Sequence, residues 1–207
     1  MATAVKICGI TRAEDALAAA GAGAHAIGLV FHAPSPRFVT LAQAAKIVRV
    51  LPPYVTAVGL FVDAPAEKVR ATLARAPIFL LQFHGAEPPA FCRQFGLPYV
   101  KAVRMRASVD LLQYARDYRD ARALLLDTYV EELHGGSGVA FDWGLIPSGL
   151  PLPVILSGGL TVENVGAAVR RVRPSAVDVS SGVESAMGVK DAGKIAAFIK
   201  EVCNADG

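Results

Sequence analysis

Cys8 and Asp127 each follow a short apolar run, and both side chains are able to exchange protons. Cys8 stands in VKICGIT and Asp127 ends the run ALLLD. A thiolate is a base when its surroundings lower its pKa, and a carboxyl group serves as a general acid or base. Each residue also has a commoner explanation, since a cysteine after an apolar run is usually a buried hydrophobic residue and an aspartate often caps a turn. If the two faced each other across a sugar phosphate, they would suit an isomerase.

Two glycine-containing segments in the last third of the chain predict a phosphate site. The segments are LSGGL, which precedes a helical pattern, and VSSGVES. Exposed N–H groups of glycine loops beside a helix N-terminus bind phosphate. The alternative is two glycine turns without a ligand, but their occurrence in successive units favours a phosphorylated small molecule. The candidate phosphate-binding residues are Gly158, Gly159, Ser180, Ser181 and Gly182.

Arg37 in SPRFV and His84 in QFHG are further candidates. A guanidinium binds a carboxylate through two parallel hydrogen bonds, although a solvated surface cation is the commoner role of an arginine. His84 is explained almost as well by a hydrogen-bonded place in the core as by a place in a site. Asp63 and Arg104 are expected to be polar lining without an assigned role.

Eight short apolar runs predict the strands that position these side chains. Most are almost continuously apolar, which is typical of parallel strands buried on both faces. Most begin roughly 21 to 23 residues after the previous run, about the length of one strand–helix unit. The runs are AVKIC from Ala4, AIGLVF from Ala26, TAVGLFV from Thr56, IFLLQF from Ile78, YVKAV from Tyr99, ALLLD from Ala123, PVILS from Pro153 and AVDVS from Ala176.

Segments with helical periodicity lie between the runs. The apolar residues share one face over Leu41–Leu51, Ala66–Ala76 and Val162–Val172. Capping boxes are predicted at Thr11, with Glu14, and at Thr161, with Asn164. Each run is followed by a helix-like segment.

These repeated units predict an α/β fold, a single (βα)8 barrel that spans residues 1–207. The alternative is an open doubly wound sheet, which usually carries GxGxxG in its first turn, whereas CGITRAED contains only Gly9. The segments after the second and sixth runs are longer than the others, His32–Thr40 and Thr128–Trp143. In a barrel, both would lie on the face where active sites form, so they are candidate lids.

The composition restricts the class of protein. The chain has 207 residues, 53% hydrophobic residues and a net charge of +3, with no basic run interleaved with aromatic residues. We therefore expect a folded cytoplasmic protein that binds neither nucleic acid nor membrane. The three cysteines are far apart and form no CxxC pair, which argues against a disulfide framework and a metal site.

Seven segments, in order along the whole chain, resemble the phosphoribosylanthranilate isomerase family of tryptophan biosynthesis. They are KICGIT, SPRFV, QFHG, LLLD, GGSG..FDW, LSGGL and VSSGVE. KICGIT together with GGSG..FDW is highly specific, whereas the glycine loops are shared by many phosphate-binding barrels. The chain departs from the family pattern with Ser137 for Thr, Val139 for Lys and Phe83 for Leu.

The resemblance implies an Amadori rearrangement of N-(5-phosphoribosyl)anthranilate, with no metal and no organic cofactor. It implies that Asp127 protonates the furanose ring oxygen and that Cys8 takes the proton from C2′. It further implies that Arg37 binds the anthranilate carboxylate and that the two glycine loops bind the phosphate. Other substrate-binding residues implied by the resemblance are His84, Ser137 and Gly138. The expected partner is this phosphosugar alone, and the expected state is a monomer or homodimer.

Three other functions remain open from the sequence. A different phosphosugar isomerase barrel, such as a bifunctional enzyme that also serves histidine synthesis, would need a carboxylate in place of Cys8. A non-catalytic barrel that binds a phosphorylated ligand would need no acid or base. A redox role for Cys8 lacks a second cysteine nearby in the sequence.

Overall fold

Eight parallel strands form a closed barrel in the computed structural model, which describes residues 2–128 and 140–207. The strands are neighbours in chain order, and β8 pairs with β1 to close the ring. Each begins within two residues of its predicted run, so the predicted barrel is confirmed and the open sheet is wrong. The strands are β1 Ala4–Ile7, β2 Ala26–Val30, β3 Thr56–Phe61, β4 Leu80–Phe83, β5 Tyr99–Met105, β6 Ala123–Thr128, β7 Val154–Leu156 and β8 Ala176–Val179.

Seven α-helices lie between and after the strands in the described part of the chain, and the three predicted periodic segments are among them. Between β6 and β7 the described residues contain a one-turn 3-10 helix, Trp143–Leu145, and no α-helix. The helix-like segment expected after the sixth strand is therefore absent from that described part. The helices are α1 Ala13–Gly21, α2 Leu41–Arg49, α3 Ala66–Leu73, α4 Pro89–Arg93, α5 Leu111–Asp117, α6 Val162–Val172 and α7 Ala192–Asp206.

The two predicted capping boxes have different outcomes. The box at Thr161 is present, and the Thr161 N–H donates to Asn164 Oδ1 at 2.8 Å. The box at Thr11 is wrong, because α1 begins at Ala13 and the Thr11 hydroxyl donates to the Gly188 carbonyl at 2.6 Å. The Thr11 hydroxyl thus binds a residue distant in the sequence instead of capping α1. This hydrogen bond ties the β1–α1 loop to the segment that follows β8.

That segment is a short antiparallel pair that the sequence did not predict. After β8 the chain forms a one-turn 3-10 helix and then β9 Glu184–Ala186 and β10 Val189–Lys190. This β9–β10 hairpin reaches the β2–α2 loop, where Glu184 contacts Arg37. It therefore connects the last strand of the barrel to one of the two long loops.

The alternation of side chains along β1 explains which residues face the inside of the barrel. Val5 and Ile7 pack in the apolar layer between the strands and the helices. Because successive side chains of a strand point to opposite faces, Lys6 and Cys8 point inward. No helix in the described ranges is long and apolar enough to cross a membrane.

Candidate active site

One cavity opens at the carboxyl ends of the strands, where barrel active sites form. The space between its walls, including the open mouth, is about 840 Å³. All eight strands or the loops directly after them contribute to its wall. Eight residues predicted from the sequence line it together, namely Cys8, Arg37, His84, Asp127, Gly158, Gly159, Ser180 and Ser181.

Cys8 is buried at the base of the cavity and packs with Val30 and Leu60. Its backbone N–H donates to the Val179 carbonyl at 2.8 Å, which continues the pairing of β1 with β8. Burial raises the pKa of the thiol, while the nearby Lys6 ammonium acts to lower it. Burial is the stronger influence, so the pKa of the thiol is raised.

Asp127 is held by hydrogen bonds to both carboxylate oxygens. Oδ1 accepts from the Thr128 N–H at 2.9 Å, and Oδ2 lies 3.1 Å from His84 Nε2. On the other side of the ring, Gln82 Nε2 lies 3.0 Å from His84 Nδ1. With the Gln82 amide donating to Nδ1, the neutral imidazole carries its proton on Nε2 and donates it to Asp127. His84 thus orients the carboxylate, a role that the sequence alone did not assign to it.

Arg37 is anchored by a carboxylate from the β9–β10 hairpin. Its Nε and Nη2 atoms donate to the two oxygens of Glu184, each at 2.8 Å. Lys190 donates to Glu184 at 2.8 Å and to the Ser180 carbonyl at 3.0 Å. Burial acts to raise the pKa of Glu184, but the hydrogen bonds from Arg37 and Lys190 outweigh it and the pKa is lowered. Because Glu184 occupies one edge of the guanidinium, Arg37 is held in a single orientation at the cavity wall.

The two glycine loops meet in the cavity wall. Gly158 and Gly159 have φ angles of +81° and +64°, in the left-handed region that favours glycine. A Cβ atom at Gly158 would overlap Thr128, and one at Gly182 would overlap the Leu160 carbonyl. The β7 and β8 loops therefore pack backbone to backbone just before the N-terminus of α6. Glycine loops that lie next to a helix N-terminus suit a phosphate.

Comparison with known proteins shows which family has this sequence and fold. Residues 5–201 match the family model described as N-(5′-phosphoribosyl)anthranilate (PRA) isomerase. The chain belongs to this family. It is 58% identical over 202 residues to the N-(5′-phosphoribosyl)anthranilate isomerase of Nitrosospira multiformis, an alignment that covers 98% of this chain and 97% of that protein.

Solved structures of PRA isomerases have the same fold. The phosphoribosyl anthranilate isomerase of Thermotoga maritima superposes with a TM-score of 0.88 at 41% identity, covering 98% of this chain and 99% of that one. A second structure holds reduced 1-(o-carboxyphenylamino)-1-deoxyribulose 5-phosphate and superposes with a TM-score of 0.85 at 40% identity over 98% of this chain and 99% of that one. The recognition made from seven short segments is therefore confirmed over the full length.

The other residues predicted from the sequence of this PRA isomerase family member have separate outcomes. Ser137 and Gly138 lie outside the described residues, as does most of the second candidate lid. Asp63 holds a loop, because its Oδ1 atom accepts from the Ala86 N–H at 2.7 Å. Arg104 lies in the cavity wall with an exposed side chain and pairs with Asp127 in the β5–β6 register.

Several polar residues of the site were missed in the sequence. Lys6 and Asp178 are charged residues within otherwise apolar strands, and this interruption was the available signal. Glu184 directly follows a glycine loop, but its pairing with Arg37 joins residues that are 147 positions apart. The other missed residues are Gln82 and Lys190.

Replacing Glu184 with Gln is expected to reduce stability at neutral pH by about 2 kcal/mol, because two cations lose the charge of a buried partner. The folded-state pKa of Glu184 is lowered, so its contribution is fully present above the pKa of the unfolded chain and is lost as the pH falls through the folded value. Urea unfolding at pH 7 and at progressively lower pH checks this. The wild type and Glu184→Gln should converge in acid, and an equal difference at every pH would contradict the prediction. Glu67→Gln, at an exposed position on α3, is the control.

Proposed function

We propose that this chain catalyses the Amadori rearrangement of N-(5′-phosphoribosyl)anthranilate to 1-(o-carboxyphenylamino)-1-deoxyribulose 5-phosphate, the isomerisation of tryptophan biosynthesis. The observation that carries the proposal is one cavity lined by a thiol, a carboxylate, an anchored guanidinium and two glycine loops. The substrate carries an aromatic carboxylate at one end and a phosphate at the other. Its reacting ribose atoms lie between them, so the two anionic ends need separate binding sites on either side of an acid and a base.

Asp127 is the proposed general acid. Its carboxyl proton passes to the furanose ring oxygen, the C1′–O bond breaks, and the nitrogen lone pair forms the protonated Schiff base. For this step, the His84–Asp127 pair must carry one proton more than a neutral imidazole paired with an ionised carboxylate. The two side chains are 3.1 Å apart, so one hydrogen bond joins the proposed acid to the imidazole.

Cys8 is the proposed general base. The protonated Schiff base is an electron sink that makes the C2′ proton acidic, and the Cys8 thiolate takes this proton. The electron pair left at C2′ forms the enolamine, which tautomerises to the ketone. No covalent bond between sulfur and substrate is needed, so the residue acts as a base and not as a nucleophile.

The binding roles follow from the charges in the cavity wall. Arg37 uses Nε and Nη2 for Glu184, and its Nη1 makes no hydrogen bond to the described residues, which leaves it for the anthranilate carboxylate. Gly158, Gly159, Ser180, Ser181 and Gly182 form the proposed phosphate site. Substrate binding by His84, Ser137 and Gly138 remains a prediction from the family resemblance.

The proposed oligomeric state is a monomer or a homodimer. The proposed partner is the phosphosugar alone, without nucleic acid or membrane, and the proposed location is the cytoplasm. Light scattering of the purified protein distinguishes the two oligomeric states.

A turnover assay on the purified chain tests the function. N-(5′-phosphoribosyl)anthranilate is fluorescent, and its conversion is followed as a loss of that fluorescence. Loss that depends on the enzyme, with formation of the ketose product, supports the proposal. Thermal stabilisation by the reduced product analogue without any turnover would support a non-catalytic binder, and turnover of a different aminoaldose phosphate alone would support another phosphosugar isomerase.

A further inference from the structure

We propose that the buried Lys6–Asp178 ion pair is a positioning element for Cys8, in which the Lys6 ammonium faces the sulfur and stabilises its thiolate. The proposal rests on the role of Cys8 given above and adds the origin of its basicity. Lys6 and Asp178 are charged residues in otherwise apolar strands, and the proposal gives both of them a role.

Strand register brings the three side chains together. Lys6 and Cys8 are two residues apart on β1 and its continuation, so their side chains share the inner face. Lys6 is the register partner of Asp178 on β8, and Lys6 Nζ donates to Asp178 Oδ1 at 2.8 Å.

Gly28 on β2 lies next to the side chains of Lys6 and Cys8. A Cβ atom at this position would come within 2.6 Å of Cys8 Sγ and 3.2 Å of Lys6 Cε. The sulfur and the end of the lysine chain thus lie over the same small residue, and the absence of a side chain there makes room for both.

Because Lys6 is buried, its charge acts strongly on the groups around it. The side chains of Lys6 and Asp178 are only 8% and 5% exposed, so their charges are poorly screened by water. Burial acts to lower the pKa of Lys6, but Asp178 and Cys8 outweigh it and the pKa is raised, so the lysine is charged. The same ammonium acts on the Cys8 thiol, because each of the two groups shifts the pKa of the other.

Four charged groups influence the Cys8 thiol, and Lys6 is the strongest of the three cations. Lys6 lowers its pKa and Asp178 raises it, while Lys190 lowers it to a smaller extent. Arg37, from the β2–α2 loop, is also coupled electrostatically to the thiol. Lys190 and Arg37 both bind Glu184, whereas Lys6 binds Asp178 of β8.

The test measures the thiolate of Cys8 without using turnover. The rate of alkylation by iodoacetamide is followed against pH, and mass spectrometry of the peptides reads Cys8 separately from the exposed Cys203. In Lys6→Met the apparent pKa of Cys8 should rise by about one unit or more, which is a tenfold loss of alkylation rate at a pH below that pKa. The kcat for N-(5′-phosphoribosyl)anthranilate should fall by a similar factor with little change in KM, and Lys6→Arg should recover part of both.

A double variant separates the charge of Lys6 from its contribution to folding. Lys6→Met alone leaves Asp178 buried without its partner, so the melting temperature should fall; Lys6→Met/Asp178→Asn removes both charges and should recover much of it. The alkylation pKa of the double variant should remain above the wild-type value, because burial is no longer opposed by the ammonium. If the double variant recovers both the melting temperature and the wild-type alkylation pKa, the pair is merely structural and the proposal is wrong.

The same experiments distinguish this inference from the proposed function. A Cys8→Ala variant with near wild-type turnover would overturn the role of Cys8 itself, whatever Lys6 does. Loss of turnover in Cys8→Ala, together with an unchanged alkylation pKa in Lys6→Met, would leave the proposed function intact and overturn only the role of the ion pair.

Discussion

Asp127→Asn is expected to lower turnover of N-(5′-phosphoribosyl)anthranilate on the order of 10²–10⁴-fold, the usual loss for one positioned acid. The amide keeps the size of the side chain but has no proton of comparable acidity for the ring oxygen. It also replaces one of the oxygens that bind the Thr128 N–H and His84, so the imidazole loses its anionic partner. Steady-state kinetics should show the loss in kcat rather than in KM, because no anionic end of the substrate is bound by Asp127.

The His84→Gln variant tests how far His84 contributes to the action of Asp127. If His84 acts by orienting the carboxylate, the variant should be impaired less than Asp127→Asn, and the loss should again be in kcat. A near wild-type rate in Asp127→Asn, with the fold intact by circular dichroism, would assign the general acid to another residue.

Cys8→Ser is expected to produce a loss of similar size, on the order of 10²–10⁴-fold in kcat, because a hydroxyl is a far weaker acid than a thiol and supplies almost no anion as base. The change is nearly isosteric, so packing against Val30 and Leu60 is largely preserved. Since burial raises the pKa of the wild-type thiol, kcat/KM should increase with pH until that raised pKa is reached.

Cys92→Ser is the matched control for this substitution. Cys92 is also fully buried, but it lies on α4 and its sulfur is directed to the Glu87 carbonyl rather than to the cavity. The Cys92→Ser substitution should leave kcat and its pH dependence unchanged. Equal activity in Cys8→Ser and Cys92→Ser would remove Cys8 from the mechanism.

The features predicted well from the sequence are those encoded by adjacent residues. The strands are short runs with little ambiguity, and their regular spacing predicts the closed barrel before any contact is known. Cys8 and Asp127 were placed in one cavity because residues at the ends of parallel strands share one face. The Thr161 capping box was correct because all its partners lie within four residues.

The features missed depend on partners that are distant in the sequence. Thr11 has the residue type of a helix cap, but the Gly188 carbonyl competes for its hydroxyl. The β9–β10 hairpin has strands too short to give a periodic pattern, so the anchoring of Arg37 by Glu184 was invisible. The pairing of Lys6 with Asp178 was missed, since their register depends on how the barrel closes.

The pairing of β8 with β1 has a consequence for how activity is acquired during folding. Lys6 and Asp178 are 172 positions apart, and the last ladder of the ring is what places them side by side. Contacts of such long sequence separation form late, because the entropy of closing the loop must be overcome first. In every partly folded form in which the ring is still open, Lys6 therefore lacks the aspartate that binds it in the barrel interior beside Cys8. On this view the enzyme's chemistry is itself a probe of ring closure, and a folding intermediate with seven paired strands would be compact and yet inert.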